Sequence, residues 1–281
     1  MMKYGFVMPG GDARLVADFA AEAESAGWDA LFVWDPVWGV DPWVSLSAAA
    51  MVTERIRLGT MITPVSRRRP WKLAGETATL DRLSGGRVIL AVGLGAVDTG
   101  FVEFGEETDR KTRAELMDEC LVIVSGLWHG QPFSFDGKHY HVRETKFHVP
   151  PPPVQQPRIP VWVVGAWPRP KSMQRVLRWD GLLPNKMNAA GQHEPVQPDD
   201  IRAMKAYVNE HRTATTPFDI IVEGETPGRA AKKAAGILRP WAEAGATWWL
   251  EARWSLVDKM QTAAGRKPVL ARIRQGPPGG G

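Results

Sequence analysis

The chain has 281 residues, is 44% hydrophobic and carries a net charge of +4 with acids and bases interleaved. That size and apolar content suit one enzyme-sized domain with a large core. The mild charge, the single cysteine and the lack of any run near the ~20 apolar residues of a membrane span argue against nucleic-acid binding, disulfides and membrane insertion. The opening MMKYGFVMPGG starts a strand rather than an export signal, so a cytoplasmic location is expected.

Strand-like and helix-like segments then alternate. KYGFVM is the first strand, and ARLVADFAAEAESAG the first helix, capped by Asp12 and ended by Gly27. ALFVW precedes a helix near PWVSLSAAAMV. IRLGTMI precedes WKLAGETATLDRLS, and RVILAVG precedes RKTRAELMDECLVIVSGLW, where Cys120 reads as a core residue. The next strand, VWVVG, is delayed by an insertion at about residues 130–158, which holds a hairpin signal with Asp136-Gly137 at its turn and a proline-rich run. KSMQRVLRW, GLLP, DDIRAMKAYVNEHR, FDIIVEG, GRAAKKAAGILRPWAEAG and TWWLEA resume the alternation. A last helix spans about residues 257–275, interrupted near Pro268, and 276–281 read as a disordered tail.

Eight mostly apolar strands, each followed by a helix, predict a single-domain (β/α)8 barrel over 1–275, with the insertion between the fourth and fifth strands. A doubly wound open sheet is the alternative, but its first turn, MPGGDAR, lacks G-x-G-x-x-G spacing. Barrel chemistry sits at the carboxyl ends of strands. Those ends are rich in glycine and aromatic residues, with no Walker loop, no Gly-x-Ser-x-Gly elbow and no metal-spaced histidine pair. His139 and His141 in the hairpin, with His148 nearby, leave a zinc site or a polar hairpin face open. His129 at a helix end reads as a terminus residue or a catalytic one.

Phosphate is repelled by Glu223, Glu225 and Glu251 at the last two strand ends. The fifth strand instead offers Gly165, Arg169, Lys171 and Ser172 at a helix start. Arg67, Arg68 and Arg69 form a second basic cluster, read either as a loop bound to a neighbouring carboxylate or as a contact for a charged cofactor or substrate.

The chain resembles the bacterial luciferase-like flavin-dependent oxidoreductases over nearly its whole length. The segments that carry the resemblance are Ile56–Gly95, FSFDGKHYHV before the proline-rich crossing, PRIPVWVVG leading to RWDGLLP, and AGATWWLEARW. It implies a barrel mouth that holds FMN or, in one branch, the deazaflavin coenzyme F-420. By resemblance, a non-proline cis peptide at Met61–Ile62, after Thr60, backs the ring, Gly93 and Gly95 line its approach, and the loop after the fifth strand takes the phosphate.

Two departures stand out. The acid-base residues of the sugar-phosphate dehydrogenase branch are replaced by Asp35-Pro36 and Ala96, and a Gly-Gly-Ser by Gly165-Ala166-Trp167. Trp34, Trp38, Trp167 and Trp249 are candidate aromatic walls, and Asp35 and Glu251 candidate polar groups for orienting substrate or moving a proton. Asp35 is equally a cap for the turn that follows it. The leading expectation is an FMN-dependent monooxygenase acting on a small organic substrate, served by a separate flavin reductase and forming a homodimer. A deazaflavin-dependent reductase or dehydrogenase and a non-catalytic flavin-binding barrel are the alternatives.

Overall fold

A computed structural model describes residues 2–145 and 151–278. Eight parallel strands close into a barrel: β1 (Lys3–Met8), β2 (Ala30–Val33), β3 (Arg57–Thr60), β5 (Val88–Gly93), β8 (Val161–Trp167), β9 (Gly181–Met187), β11 (Asp219–Gly224) and β12 (Trp248–Ala252). Closure is between β12 and β1, where Phe6 pairs with Glu251, and it rules out the open doubly wound sheet. A two-residue strand, β4 (Thr63–Pro64), continues β3 beyond a break at Met61–Ile62 and pairs with the end of β5.

Helices cover the outside: α1 (Ala13–Ser25), α2 (Pro42–Met51), α3 (Pro70–Leu83), α4 (Arg110–His129), α5 (Pro170–Val176), α6 (Pro198–His211), α7 (Ala231–Ala244) and α8 (Ala263–Arg274). Local chemistry sets their starts. Asp12, Asp41 and Asp109 each accept a backbone N–H at an N-cap, and proline occupies the first turn of α2, α3, α5 and α6, where its missing N–H leaves no bond unmade. The chain after β12 differs from expectation. A 3-10 segment covers Trp254–Gln261, the break falls at Thr262, and α8 runs through Pro268. Thr262 sets that start because its hydroxyl accepts from Gly265 N at 3.1 Å.

The insertion forms a hairpin of β6 (Phe133–Asp136) and β7 (His141–Thr145). Glu119 of α4 accepts from the backbone N–H groups of Lys138, His139 and Tyr140, which pins the turn to the barrel. At the other end, Arg272 donates to Gly276 O at 2.7 Å. Residues 279–281 of the expected tail lie outside the described residues. A short strand, β10 (His193–Glu194), pairs antiparallel with the end of β9.

Two apolar layers result. The lumen is filled by alternate strand residues, among them Phe32, Ile89, Trp162, Ile221, Trp248 and Leu250. Trp162 packs edge-on to Trp248 at 5.2 Å and against Phe32 at 5.5 Å, so the middle of the barrel is a packed plug. The larger layer lies between strands and helices and takes the intervening residues, including Val163, Leu182, Val222 and Trp249. No helix among the described residues is long and apolar enough to cross a membrane.

Candidate active site

Strands β9 and β11 pair only at their beginnings, through Gly181–Asp219 and Leu182–Ile220, yet run on to Met187 and Gly224. The barrel therefore splits open at its carboxyl end between them. A cavity of about 580 Å³ occupies the split. Met61, Ile62 and Val164 form its apolar side towards the lumen plug, Leu183 and Ile221 its walls, and Trp241 and Trp254 its outer rim.

The Met61–Ile62 peptide is cis, the conformation the resemblance implied. Hydrogen bonds hold this stretch from both sides. Met61 N donates to Val33 O at 2.7 Å, Thr60 Oγ1 to Ala91 O at 3.1 Å, and Thr63 Oγ1 to Thr60 Oγ1 at 2.9 Å. Thr60 is thus a buried tie behind the cavity. At Gly93 a Cβ would come within 2.6 Å of Ile62 Cδ1, so the missing side chain is what lets Ile62 face the mouth. Gly95 has φ +79°, a conformation other residues adopt at a cost, and it lies against Phe101 and Pro64.

Strand parity decides which polar residue reaches the cavity. On β12, Trp248, Leu250 and Ala252 face the lumen. Trp249 and Glu251 therefore face outward: Trp249 packs in the outer layer near Trp241, and Glu251 is fully buried. The Glu251 carboxylate accepts from Thr226 N, Thr226 Oγ1 at 2.7 Å and Arg272 Nε at 3.2 Å. Neither residue lines the mouth, which corrects both readings.

On β11, Ile221 faces the lumen and Val222 the outer layer, so Glu223 points into the cavity. The Glu223 side chain is exposed at the open side of the cavity, while the protein packed around it holds its carboxyl above the ordinary glutamate range against an opposing hydrogen bond from Trp254. Asn185 and Lys186 complete the polar lining. Lys186 is paired with Asp200 at 3.0 Å and Glu194 at 3.8 Å, and Asn185 Oδ1 meets His193 Nδ1 at 2.6 Å.

Asp35 is also committed elsewhere. Its buried carboxylate binds Arg67 at 3.1 Å and Arg68 at 2.9 Å. Burial would lower the Arg68 guanidinium, but the charge and hydrogen bond of Asp35 raise it. Arg69 lies over the Trp71 ring at 5.9 Å. Arg67 and Arg68 are therefore bound to a neighbouring carboxylate, and Arg69 is not.

Of the remaining tryptophans, Trp167 faces outward and packs edge-on to Tyr207 of α6. Trp38 is 82% exposed and stacks on Phe104. Trp34 lines a separate cleft of about 390 Å³ between the ends of β1 and β2. None of the three borders the mouth cavity, whose aromatic rim is Trp254 and Trp241.

The strand-five loop opens onto a trough of about 940 Å³ between the starts of α4 and α5. Arg169, Lys171 and Ser172 line it with Arg110 and Lys111, beginning at Leu94 just beyond Gly93. Arg175 and Arg178 are bound to Asp118. No ion pair engages Arg110, Lys111, Arg169 or Lys171 among the described residues. Ser172 Oγ accepts from Ala166 N at 2.9 Å, closing the loop while keeping its own hydrogen to donate. Gly165 is a packing glycine. A Cβ there would meet Leu182 Cδ1 at 2.3 Å and Val176 Cγ2 at 3.0 Å, so it brings α5 onto the sheet rather than backbone onto a ligand.

His139 Nε2 meets Glu115 Oε2 at 2.9 Å and His141 Nδ1 meets Asp136 at 2.6 Å, while His148 lies outside the described residues. No group of three metal-ligating side chains occurs among the described residues. His129 Nδ1 contacts Ser125 O within its own helix. Burial pushes the Cys120 thiol up to about 12, as for a packed core residue.

Residues 5–264 match the family model described as luciferase-like monooxygenase. An F-420-dependent glucose-6-phosphate dehydrogenase of Amycolatopsis mediterranei is 31% identical over 165 residues, 55% of this chain and 48% of that one. The chain spans about half the length of the curated relatives it matches. Among solved structures, the F-420-dependent tetrahydromethanopterin reductase from Methanopyrus kandleri superposes with a TM-score of 0.72 at 16% identity, covering 98% of this chain and 96% of that one. The oxygenating constituent of 3,6-diketocamphane monooxygenase from Pseudomonas putida, in complex with FMN, gives 0.63 at 20% identity over 80% of this chain and 67% of that one. Those two likenesses concern the fold.

Proposed function

Because the chain belongs to the luciferase-like monooxygenase family, we propose that it is an oxidoreductase whose flavin-type coenzyme places its ring in the mouth beside Met61 and Ile62. The observation that carries this reading is the cavity itself: about 580 Å³, within the ~300–1,000 Å³ usual for small-molecule sites, and apolar except for Glu223, Asn185 and the Lys186–Glu194 pair. The ring-sized space depends on Gly93, where a Cβ would drive Ile62 into it. The residues present therefore fit the group.

When bound, such a coenzyme supplies two-electron chemistry that no side chain offers. The chain's own part is binding and exclusion of water. Met61, Ile62 and Val164 back the ring, Leu183, Ile221 and Trp254 keep the space dry, and Arg110, Lys111, Arg169, Lys171 and Ser172 hold anionic groups of the tail.

Four cations without ion pairs exceed what the single phosphate of FMN needs, which favours a deazaflavin with a longer acidic tail and hence a reductase or dehydrogenase. The second reading is an FMN-dependent monooxygenase, working with a separate reductase. It is favoured by the apolar lining, because oxygen chemistry at a reduced flavin requires a dry site. Fluorescence titration of the purified protein with F-420 and with FMN, each over a salt series, separates the two. The deazaflavin reading expects tighter F-420 binding that weakens steeply with salt and with Arg169→Ala or Lys171→Ala. Tighter FMN binding indifferent to those substitutions supports the second reading. Binding of neither at micromolar concentration refutes both, and binding without turnover on any substrate points to a non-catalytic barrel.

A further inference from the structure

We propose that the cleft between the ends of β1 and β2 is a second small-molecule site, and that it takes an organic ammonium with a compact apolar body. The proposal goes beyond the coenzyme reading and does not depend on it, because the cleft lies on the opposite side of the sheet from the lumen plug.

Strand parity places it there. Val7 and Phe32 point into the lumen, whereas their neighbours Met8 and Val33 belong to the layer between strands and helices, and it is Met8 and Val33 that line the cleft. Val16 of α1 and Met260 of the 3-10 segment complete a buried apolar floor, in which the two methionines can adjust to the shape of a ligand. Gly10 lets the loop after β1 approach that segment, since a Cβ there would lie 3.4 Å from Met260 Cβ. The space of about 390 Å³ falls within the ~300–1,000 Å³ usual for small-molecule sites.

The polar groups set the class of ligand. Ser45 Oγ donates its hydrogen to Asp41 O at 2.9 Å, so only its lone pairs are left for the cleft. Asp258 adds a carboxylate at the exposed rim, and no ion pair engages it among the described residues. No lysine, arginine or histidine lines the cleft among the described residues. Trp34 and Trp38 supply aromatic surface, and Trp38, although largely exposed, is held by stacking on Phe104 with ring centroids 6.4 Å apart. A carboxylate, lone pairs and aromatic faces together attract a cation that donates hydrogen bonds, and they repel an anion. An ammonium meets Asp258 and the indole faces at the rim while its carbon body displaces water from the floor. Because the rim is exposed, the ion pair and the cation–π contact are each worth about 2- to 5-fold in affinity.

The test titrates the coenzyme-free full chain, with nitrogen-15 in its indole rings, at neutral pH. The probes are phenethylamine, 2-phenylethanol and 3-phenylpropionate, which carry one phenyl ring with a cation, a neutral hydroxyl and an anion. Trp34→Phe and Trp38→Phe assign the indole N–H signals of the cleft, and Trp241→Phe and Trp254→Phe those of the mouth. Phenethylamine should shift the Trp34 and Trp38 signals saturably, with a Kd about 5- to 20-fold below that of the alcohol. The carboxylate should leave both signals in place.

Asp258→Asn should weaken the amine about 2- to 5-fold and leave the alcohol unchanged. Val257→Trp, which fills the cleft from the 3-10 segment, should abolish binding of both. Should that variant not fold, Trp38→Ala, at an exposed side chain, should weaken both instead. Equal affinity for the three probes, or an amine Kd unmoved by Asp258→Asn, overturns the ligand class. Shifts at Trp241 and Trp254 in place of Trp34 and Trp38 put the amine in the mouth and overturn the site, as does the absence of a saturable shift with any probe. Failure of F-420 and FMN to bind overturns the coenzyme reading alone and leaves the result at the cleft standing.

Discussion

Replacing Arg272 by Met tests whether Glu251 serves the fold rather than the reaction. The pair is buried at both ends, with side-chain exposures of 2% for Arg272 and 0% for Glu251. Removing one partner from such a pair costs about 3–5 kcal/mol, because the remaining charge stays desolvated. Glu251 keeps two donors, Thr226 N and Thr226 Oγ1, and an ion pair with Arg253 at 3.4 Å, which favours the lower end. Arg272 also donates to Gly276 O at 2.7 Å and lies over the Trp28 ring at 5.0 Å, contacts the substitution removes as well. A chain of this size shifts by about 2 °C per kcal/mol, so Arg272→Met should melt about 6–10 °C below wild type. Urea unfolding followed by tryptophan fluorescence and circular dichroism measures the loss directly. Combining Arg272→Met with Glu251→Gln, which removes the stranded charge and keeps an acceptor for Thr226, should recover part of the loss and show coupling between the sites. The reasoning fails if Arg272→Met melts with wild type. It fails equally if Glu251→Gln abolishes turnover while stability is intact, since that result would return Glu251 to the reaction.

Gly93→Ala should leave circular dichroism unchanged but weaken coenzyme binding by about tenfold, equivalent to ~1.4 kcal/mol, because the new Cβ pushes Ile62 towards the cavity; an unaltered Kd would show that Ile62 relaxes elsewhere. The hairpin should also prove acid-resistant. Hydrogen bonds from Lys138 and His139 hold the Glu115 carboxyl down at about 2 from 4.5, so its contribution is complete above 4.5 and disappears only as pH falls through about 2. Carbon-13 NMR should therefore show the Glu115 carboxyl titrating well below the ordinary glutamate range, and an ordinary titration there would contradict the pairing.

Much of the architecture is legible along the chain. Eight apolar runs with eight amphipathic partners predict the closed barrel, Asp12 marks the start of the first helix, and Asp136-Gly137 marks the hairpin. The site is less legible, for a reason visible in WWLEA and FDIIVEG. A barrel strand is covered by the plug on one face and by helices on the other, so both faces are apolar and the period-two contrast disappears. Trp248 and Trp249 are indistinguishable as residues, yet one fills the lumen and the other packs under α7. Glu223 and Glu251 are each the polar residue near a strand end, and only barrel register turns the first into the mouth and the second onto Arg272. Alternation counted from Ile221 was the one local signal for Glu223, and it needed Ile221 to be known as lumen-facing. Asp35 with Arg67 and Arg68 shows the same limit across 32 and 33 residues of separation. Sequence by itself determined the succession of elements, because propensity, capping and burial act over one turn or one strand. Tertiary structure decided which face each strand turns inward and which charges are left without partners, because closing the ring fixes every register at once.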